Sequence, residues 1–290
     1  MGPSARDGPE RCIPPPVSRI LPPMSFGLGR GRALDPGEIG LTLDDLPPLP
    51  DAPRASAAVL DPRTWYPHPE RPFEIEIGTG KGAFLLEEAS HRPEVNFLGF
   101  EWAREFFQYT ADRCRRRGLE NVRVLHADAT EFLHWRLPDG VVDVVHLYFS
   151  DPWPKPRHHK RRVVQDRFLA DVHRILVPGG ELRIVTDHEG YWGWMEEHFK
   201  RWTAPEGVEP SGVLSTEFRV PSNSDSELRT QNSELRLFER LPFGAAHRPG
   251  AAAEGELVGT NFERKYAREG RPFHAAVLRV VRGRPEHSME

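Results

Sequence analysis

The chain has almost no cysteine. Of its 290 residues only Cys12 and Cys114 carry a thiol. They stand in no CxxC pair and at no metal-ligand spacing, which excludes a disulfide framework and a cysteine zinc site. No apolar run approaches the ~18 residues of a bilayer-spanning helix. The first residues lack the apolar core of a secretory leader, so a cytoplasmic protein is expected. Charge excess is missing too. With 39 Lys and Arg against 43 Asp and Glu, the net charge is −4, so any contact with nucleic acid must come from a local basic patch. The hydrophobic fraction, 38%, is a little low, and over half of the 29 prolines precede Phe73. The shortfall therefore belongs mainly to the N-terminal region.

This distribution divides the chain into three parts. Residues 1–70, rich in Pro, Gly, Arg and Asp, carry too little apolar surface to repay chain entropy. They read as an extension, disordered over Met1 to Ser25, with Leu41 to Trp65 packed loosely on the domain; Met24 is an alternative start. Residues 71–282 form that one domain, with an irregular insertion at about 220–256, and 283–290 are a polar tail. No internal repeat is present.

Within the domain, strands alternate with helices. Phe73 to Ile77 alternates apolar and acidic residues, as a strand with one buried face would. Val95 to Phe100, Val122 to His126, Val141 to Phe149 and Glu181 to Thr186 are further strands. Helical spacing covers Ala83 to Ala89, Ala103 to Arg117, Gln165 to Leu176 and Tyr191 to Trp202. Arg113 and Arg115 to Arg117 read as a solvated helix end. Val213 to Val220 is a possible strand, and His274 to Val281 closes the domain. The expectation is an α/β, doubly wound, Rossmann-like sheet, mostly parallel, with one antiparallel strand near the C-terminus.

Open α/β sheets bind ligands at the carboxyl ends of their strands, and this chain places acids there. The first strand runs into Gly78-Thr79-Gly80-Lys81-Gly82, a turn whose glycines allow close backbone approach to a ligand. The second strand ends on Glu101, about 20 residues on, where an acid accepts the hydroxyls of a ribose. Asp128 follows the third strand and Asp187 the fifth. The fourth breaks at Ser150-Asp151-Pro152-Trp153-Pro154 and continues into Lys155, Arg157, His158, His159, Lys160, Arg161 and Arg162. An acid, an indole and a cationic arm at one edge point to a nucleic-acid substrate. The cations suit phosphates and Trp153 suits a base face. The two histidines lack further ligands at metal spacing, so no metal is expected.

The order glycine loop, ribose acid, Ala127-Asp128-Ala129 resembles class I S-adenosylmethionine-dependent methyltransferases. The run Phe149-Ser150-Asp151-Pro152-Trp153-Pro154-Lys155, with Arg157-His158-His159-Lys160-Arg161-Arg162, resembles the bacterial tRNA (guanine-N7)-methyltransferases. Glu76-Ile77-Gly78, Thr186-Asp187 and Thr260-Asn261-Phe262-Glu263-Arg264 agree with it. The resemblance covers roughly residues 73–202 and 259–280. It implies transfer of the methyl group of S-adenosylmethionine to N7 of a guanine in the tRNA variable loop. Glu76, Gly78, Gly80, Glu101, Asp128 and Asp151 would bind the cofactor. Lys155, Asp187, Thr260, Asn261, Phe262 and Glu263 would bind substrate, and Asp151 would be catalytic. Trp153, Arg157, Lys160, Arg161 and Arg162 would contact RNA. Ser150 stands where the family has proline, His188 where tryptophan is frequent, and Asn261 where lysine is usual. The implied partner is tRNA, with no membrane and no metal; monomer and homodimer both stay open. Two alternatives also stay open, a methyltransferase acting on another RNA base and a non-catalytic RNA-binding protein on the same fold.

Overall fold

Seven-residue and shorter apolar runs, each followed by a turn and a helix, can bury both faces only as parallel strands between two layers. The computed structural model describes residues 28, 32–49, 53, 59–203, 237–243 and 252–281. The expected strand at Val213 to Val220, the disorder expected before Ser25, most of the insertion and the polar tail lie outside them. Strands β1 (Gly40–Thr42), β2 (Phe73–Ile77), β3 (Asn96–Phe100), β4 (Val122–His126), β5 (Val142–Tyr148), β6 (Leu176–Thr186), β7 (Phe238–Leu241) and β8 (His274–Val280) form one sheet. Its order is β1-β4-β3-β2-β5-β6-β8-β7. All neighbours from β1 to β6 pair parallel, and β8 runs antiparallel between β6 and β7. The chain leaves β2 toward β3 on one side and returns to β5 on the other. A topological switch point therefore lies between β2 and β5, where such sheets open a crevice.

Helices α1 (Ala83–His91), α2 (Arg104–Arg116), α3 (Ala129–Trp135), α4 (Asp166–Ile175), α5 (Glu189–Trp202) and α6 (Asn261–Arg268) connect or cover the strands. One core joins Ile75, Leu98, Val145, Leu147 and Ile184 of the sheet to Phe132, Leu169, Ile175, Met195 and Phe199 of α3, α4 and α5. On the other face Leu85, Phe97, Phe107, Ala111 and Val124 pack together.

Three expectations are revised. The segment around Leu41 to Trp65 packs tightly in part: β1 pairs with β4, Ile39 is buried, and Tyr66 donates from its hydroxyl to the Phe97 carbonyl at 2.6 Å. Without β1, strand β4 would present an open edge. The arginines ending α2 are not simply solvated. Buried Asp112 receives Arg115 at 3.3 Å, Arg116 at 3.1 Å and, from the N-terminal segment, Arg32 at 2.5 Å. And β6 begins at Leu176, with Pro178-Gly179-Gly180 as an irregularity inside it, so that Val142 pairs with Leu176 but Val144 with Glu181.

The alternating acids of β2 are a fourth revision. All five residues of the strand are buried, because layers cover both faces. Glu74 accepts from Arg92 and, at 2.9 Å, from Nε2 of His146. His146 Nδ1 in turn accepts from the Tyr148 hydroxyl at 2.7 Å, the tautomer that satisfies both contacts. Against the cost of burial, His146 and Arg92 hold Glu74 down to about 2, whereas burial keeps His146 below its ordinary value. A carboxyl depressed in the folded state stabilises above its unfolded value and loses that contribution as pH falls through about 2. Glu74→Ala strands the buried His146 and the partly exposed Arg92, so we expect a loss of about 3 kcal/mol in chemical denaturation at pH 7. A loss within about 0.5 kcal/mol, the range of an ordinary surface change, would contradict it.

Candidate active site

The carboxyl ends of β2, β3, β4, β5 and β6 lie along one edge, and each delivers an acid or a glycine turn to it. After β2 the backbone turns through Gly78 at φ 79°, and a Cβ built there meets nothing within 4 Å. The turn thus offers bare main chain to open space. Gly82, which caps α1 at φ 65°, is required for the opposite reason: a Cβ there would lie 2.3 Å from the Thr110 methyl. Between them Gly80 donates its N–H to Glu101 at 2.7 Å and accepts from the Thr110 hydroxyl at 2.9 Å. Glu101 also accepts from Ala103 N at 2.8 Å, so both its oxygens are fixed by main-chain amides.

Glu76 is only 4% exposed, and its Oε2 has no hydrogen-bond partner among the described residues; neither has the buried Thr79 hydroxyl. Burial, then Glu101 and Glu88, push the Glu76 carboxyl well above the usual range, with the Leu85 amide at the start of α1 pulling the other way. Burial, opposed by backbone amides, raises Glu101, and the nearby Asp151 raises it further. The acids of β2, β3 and β5 therefore share one field. Asp128 takes a different posture. It caps α3, with Oδ1 accepting from Thr130 N at 2.9 Å, the Thr130 hydroxyl at 2.7 Å and Glu131 N at 3.3 Å. Its Oδ2 makes no hydrogen bond to the described residues, so the cap aims one free oxygen outward.

Asp151 is exposed between the two non-glycine residues of positive φ among those described, Phe149 at 55° and Trp153 at 42°. Such residues cost on the order of 1–3 kcal/mol each and gather where a site requires the geometry. The Pro156–Arg161 3-10 helix then carries Lys155, Arg157 and Lys160 exposed at its start and along it. Arg161 lies over the Trp153 ring at 4.9 Å. Arg162 departs from the expectation of an RNA contact. It is 4% exposed, donates to the Pro152 carbonyl at 2.8 Å and lies between Tyr191 and Trp194, each 5.2 Å away. Its charge braces the loop through the Pro152 carbonyl.

Asp187, at the end of β6, pairs with Arg271 at 2.9 Å, a partner that no sequence motif indicated. Phe262 is 48% exposed and Asn261 is exposed beside it. Thr260 and Glu263, expected to meet substrate, both make hydrogen bonds within the fold. Thr260 caps α6 by accepting from Glu263 N at 3.1 Å. Glu263, 2% exposed, accepts from Leu257 N, from Val258 N at 2.9 Å and from Gly259 N at 2.8 Å. A carboxylate satisfied by three amides inside a turn has little left for a ligand. Thr260 followed three residues later by Glu263 has the spacing of a capping box, which signals the Thr260 cap, but Glu263 reaches the three amides before Thr260 instead. Glu263→Ala should lose about 2–3 kcal/mol of stability by leaving amides unpaired. In the same thermal-melt and titration series we expect the cofactor dissociation constant to move by less than about threefold, under 0.7 kcal/mol. A variant of unchanged melting temperature but no ligand binding would restore the substrate-contact reading.

A family model described as "Putative methyltransferase" matches residues 70–239, more than half of the chain. A tRNA (guanine-N(7)-)-methyltransferase of Agrobacterium fabrum is 35% identical over 211 residues, covering 73% of this chain and 89% of that protein. The chain belongs to the tRNA (guanine-N7)-methyltransferase family. The family member from Nitrobacter hamburgensis is 39% identical over 176 residues, covering 61% of this chain and 68% of the relative. The one from Streptococcus thermophilus is 36% identical over 133 residues, and there the match spans 62% of the relative's length. Where many tRNA (guanine-N7)-methyltransferases carry tryptophan, His188 of this chain caps α5 by accepting from Tyr191 N at 3.1 Å. An indole, which has no acceptor, cannot make that contact. Among the described residues no helix is long and apolar enough to cross a membrane, and no cluster could hold a metal ion.

Proposed function

We propose that this chain transfers a methyl group from S-adenosylmethionine to N7 of a guanine in the tRNA variable loop. One observation carries the reading. At the carboxyl edge beside the switch point, a buried carboxylate with an unpartnered oxygen, Glu76, stands in one field with Glu101 and Asp151, and Asp151 opens directly onto the cationic 3-10 helix.

The residues fit the cofactor. Glu76 Oε2 and the Thr79 hydroxyl are buried and lack partners among the described residues, as acceptors for an amino-acid ammonium would. Glu101 holds two oriented oxygens for a vicinal diol, and Asp128 Oδ2 is free for an exocyclic amine. Gly78 leaves the backbone room to approach. When bound, S-adenosylmethionine supplies a sulfonium methyl group open to displacement.

Guanine N7 carries an in-plane lone pair and no proton, so no side chain need act as a general base. The protein's task is alignment. Trp153, which packs against Arg161 and, edge to face, against His158, is the ring beside Asp151 on which a splayed base would stack. Asp151 and Asp187 accept from the guanine N1–H and amino group, which rejects adenine. As the purine gains positive charge, the Asp151 carboxylate stabilises it. Lys155, Arg157 and Lys160 hold the flanking phosphates.

The test is methyl transfer from labelled S-adenosylmethionine to unmodified tRNA transcripts, followed by nucleoside analysis, with a transcript whose variable-loop guanine is adenine as control. The expected product is 7-methylguanosine from the first transcript only. Another methylated base would overturn the substrate assignment. Cofactor binding without any methylation would favour the non-catalytic alternative.

A further inference from the structure

The loop after α6 brings a cation against the acid assigned to the guanine. Arg271 Nη1 donates to Asp187 Oδ2 at 2.9 Å, and its Nη2 pairs with Glu269 at 2.8 Å. The guanidinium lies over Tyr266, 4.3 Å from the ring centroid, and the Arg271 amide donates to the Tyr266 carbonyl at 3.1 Å. Tyr266 stacks on Phe262 at 6.0 Å, and Phe262 stands 6.3 Å from Phe149. A side chain begun at Gly80 would start 3.9 Å from Phe262. A continuous stack thus runs from the glycine turn, along α6, to the acid at the end of β6.

Arg271 is itself exposed, and exposed ion pairs contribute little to stability. Its consequence is for the site. With Oδ2 taken, Asp187 has one oxygen, Oδ1, that makes no hydrogen bond to the described residues. A guanidinium held over a ring loses little further freedom when it binds a carboxylate, so it constrains the direction in which that oxygen points.

We propose that Arg271 is a positioning residue for guanine recognition, holding Asp187 Oδ2 so that Oδ1 alone meets the base. The proposal rests on the methyl-transfer reading above. It specifies that recognition requires α6 and its following loop in place, and that Arg271 acts through Asp187 and not on phosphate.

The experiment uses the full chain with Arg271→Ala, Arg271→Lys, Asp187→Ala and the double alanine variant, assayed for 7-methylguanosine formation on a tRNA transcript. Misorientation by Arg271→Ala should lower kcat/KM about 10-fold, with S-adenosylmethionine affinity by calorimetry unchanged. Lysine, a point charge without the planar fork, should recover only part. The double variant should be no worse than Asp187→Ala, because the two act as one unit. The salt dependence of tRNA binding should not change in Arg271→Ala. Multiplying effects in the double variant, or a log–log salt slope reduced by about 0.7–0.9, would overturn the proposal and make Arg271 a phosphate contact. Faster methylation by Arg271→Ala would also overturn it, showing that the arginine competes with the base. Full activity in Asp187→Ala would remove the acid on which it depends. Failure of the functional reading is separate, since wild-type chain would then form no 7-methylguanosine. If Arg271→Ala loses its fold by circular dichroism, Arg271→Lys with its partial loss in kcat/KM carries the test.

Discussion

Glu76→Ala should weaken S-adenosylmethionine binding about 100-fold, since a charge-assisted hydrogen bond in a buried site is worth about 1.5–3 kcal/mol. The reason lies in the contrast between what this carboxyl has and what it lacks. It is buried, its neighbours Glu101 and Glu88 are acids, and one oxygen finds no partner among the described residues. Burial and those acids raise it well above the usual carboxylate range, so the empty site favours its proton. An arriving ammonium favours the ionised form. Binding must therefore release a proton across the window between the two states, and affinity should rise with pH through it. Stability has the opposite sign. A carboxyl whose folded value is raised binds its proton more tightly folded than unfolded, so folding stability falls as pH rises through the same window. Glu76→Gln should then leave the unliganded chain as stable as wild type or more so at neutral pH, yet bind cofactor poorly, which separates a binding defect from a folding defect. Calorimetry in two buffers of different ionisation enthalpy reads the proton release directly. Equal heats in both buffers, with unchanged affinity in Glu76→Gln, would sink the assignment.

Asp151→Ala should lower kcat by at least about 100-fold, the scale on which a preoriented group facing developing charge acts. Binding of tRNA should change by less than about tenfold, 1.4 kcal/mol, because Lys155, Arg157 and Lys160 remain to hold phosphates. Asp151 makes no hydrogen bond or ion pair within the described residues, and two left-handed residues frame it. The protein thus accepts backbone strain to present this carboxylate unencumbered. Removing it breaks no hydrogen bond to a described residue and relieves the field it exerts on Glu101. Asp151→Asn should keep the loop's shape and still lose most of the rate. The check is single-turnover methylation with saturating tRNA and cofactor. A normal rate at saturation, with the loss confined to cofactor affinity, would make Asp151 a cofactor ligand and leave Asp187 as the acid on the base.

The sites differ in how far they could be read in advance. Glu101 and Asp128 lie at the ends of β3 and β4; spacing from the glycine turn placed the first, and the strand pattern placed the second. The motif from Phe149 to Arg161 lies at the open edge as its prolines and charges suggested. Arg162 belongs to the same run of cations, but its guanidinium turns back under the loop to the Pro152 carbonyl. Nothing in a row of basic residues says which one folds inward. Thr260 and Glu263 belong to a recognisable motif whose spacing fits two roles, and the three amides converging on Glu263 could not be read from it. Arg271 lies 84 residues from Asp187 along the chain, and the antiparallel return of β8 beside β6 is what joins them.

Strand β2 shows the division most plainly. The order Phe73-Glu74-Ile75-Glu76-Ile77 by itself determined that two acids share one face of a strand entering a glycine turn, because successive side chains on a strand alternate. It also determined, through period and punctuation, that parallel strands and helices would come after it and that acids would collect at their ends. The two glutamates are chemically identical, and local sequence cannot tell them apart. Tertiary structure gave Glu74 the guanidinium of Arg92 and the imidazole of His146, and gave Glu76 two more acids and a vacant hydrogen bond. One carboxylate is thereby consumed in holding the sheet to α1. The other is left in a field that favours its proton, with one oxygen that no described residue meets, since the cost of burying an ionised group depends on its surroundings and not on the residue.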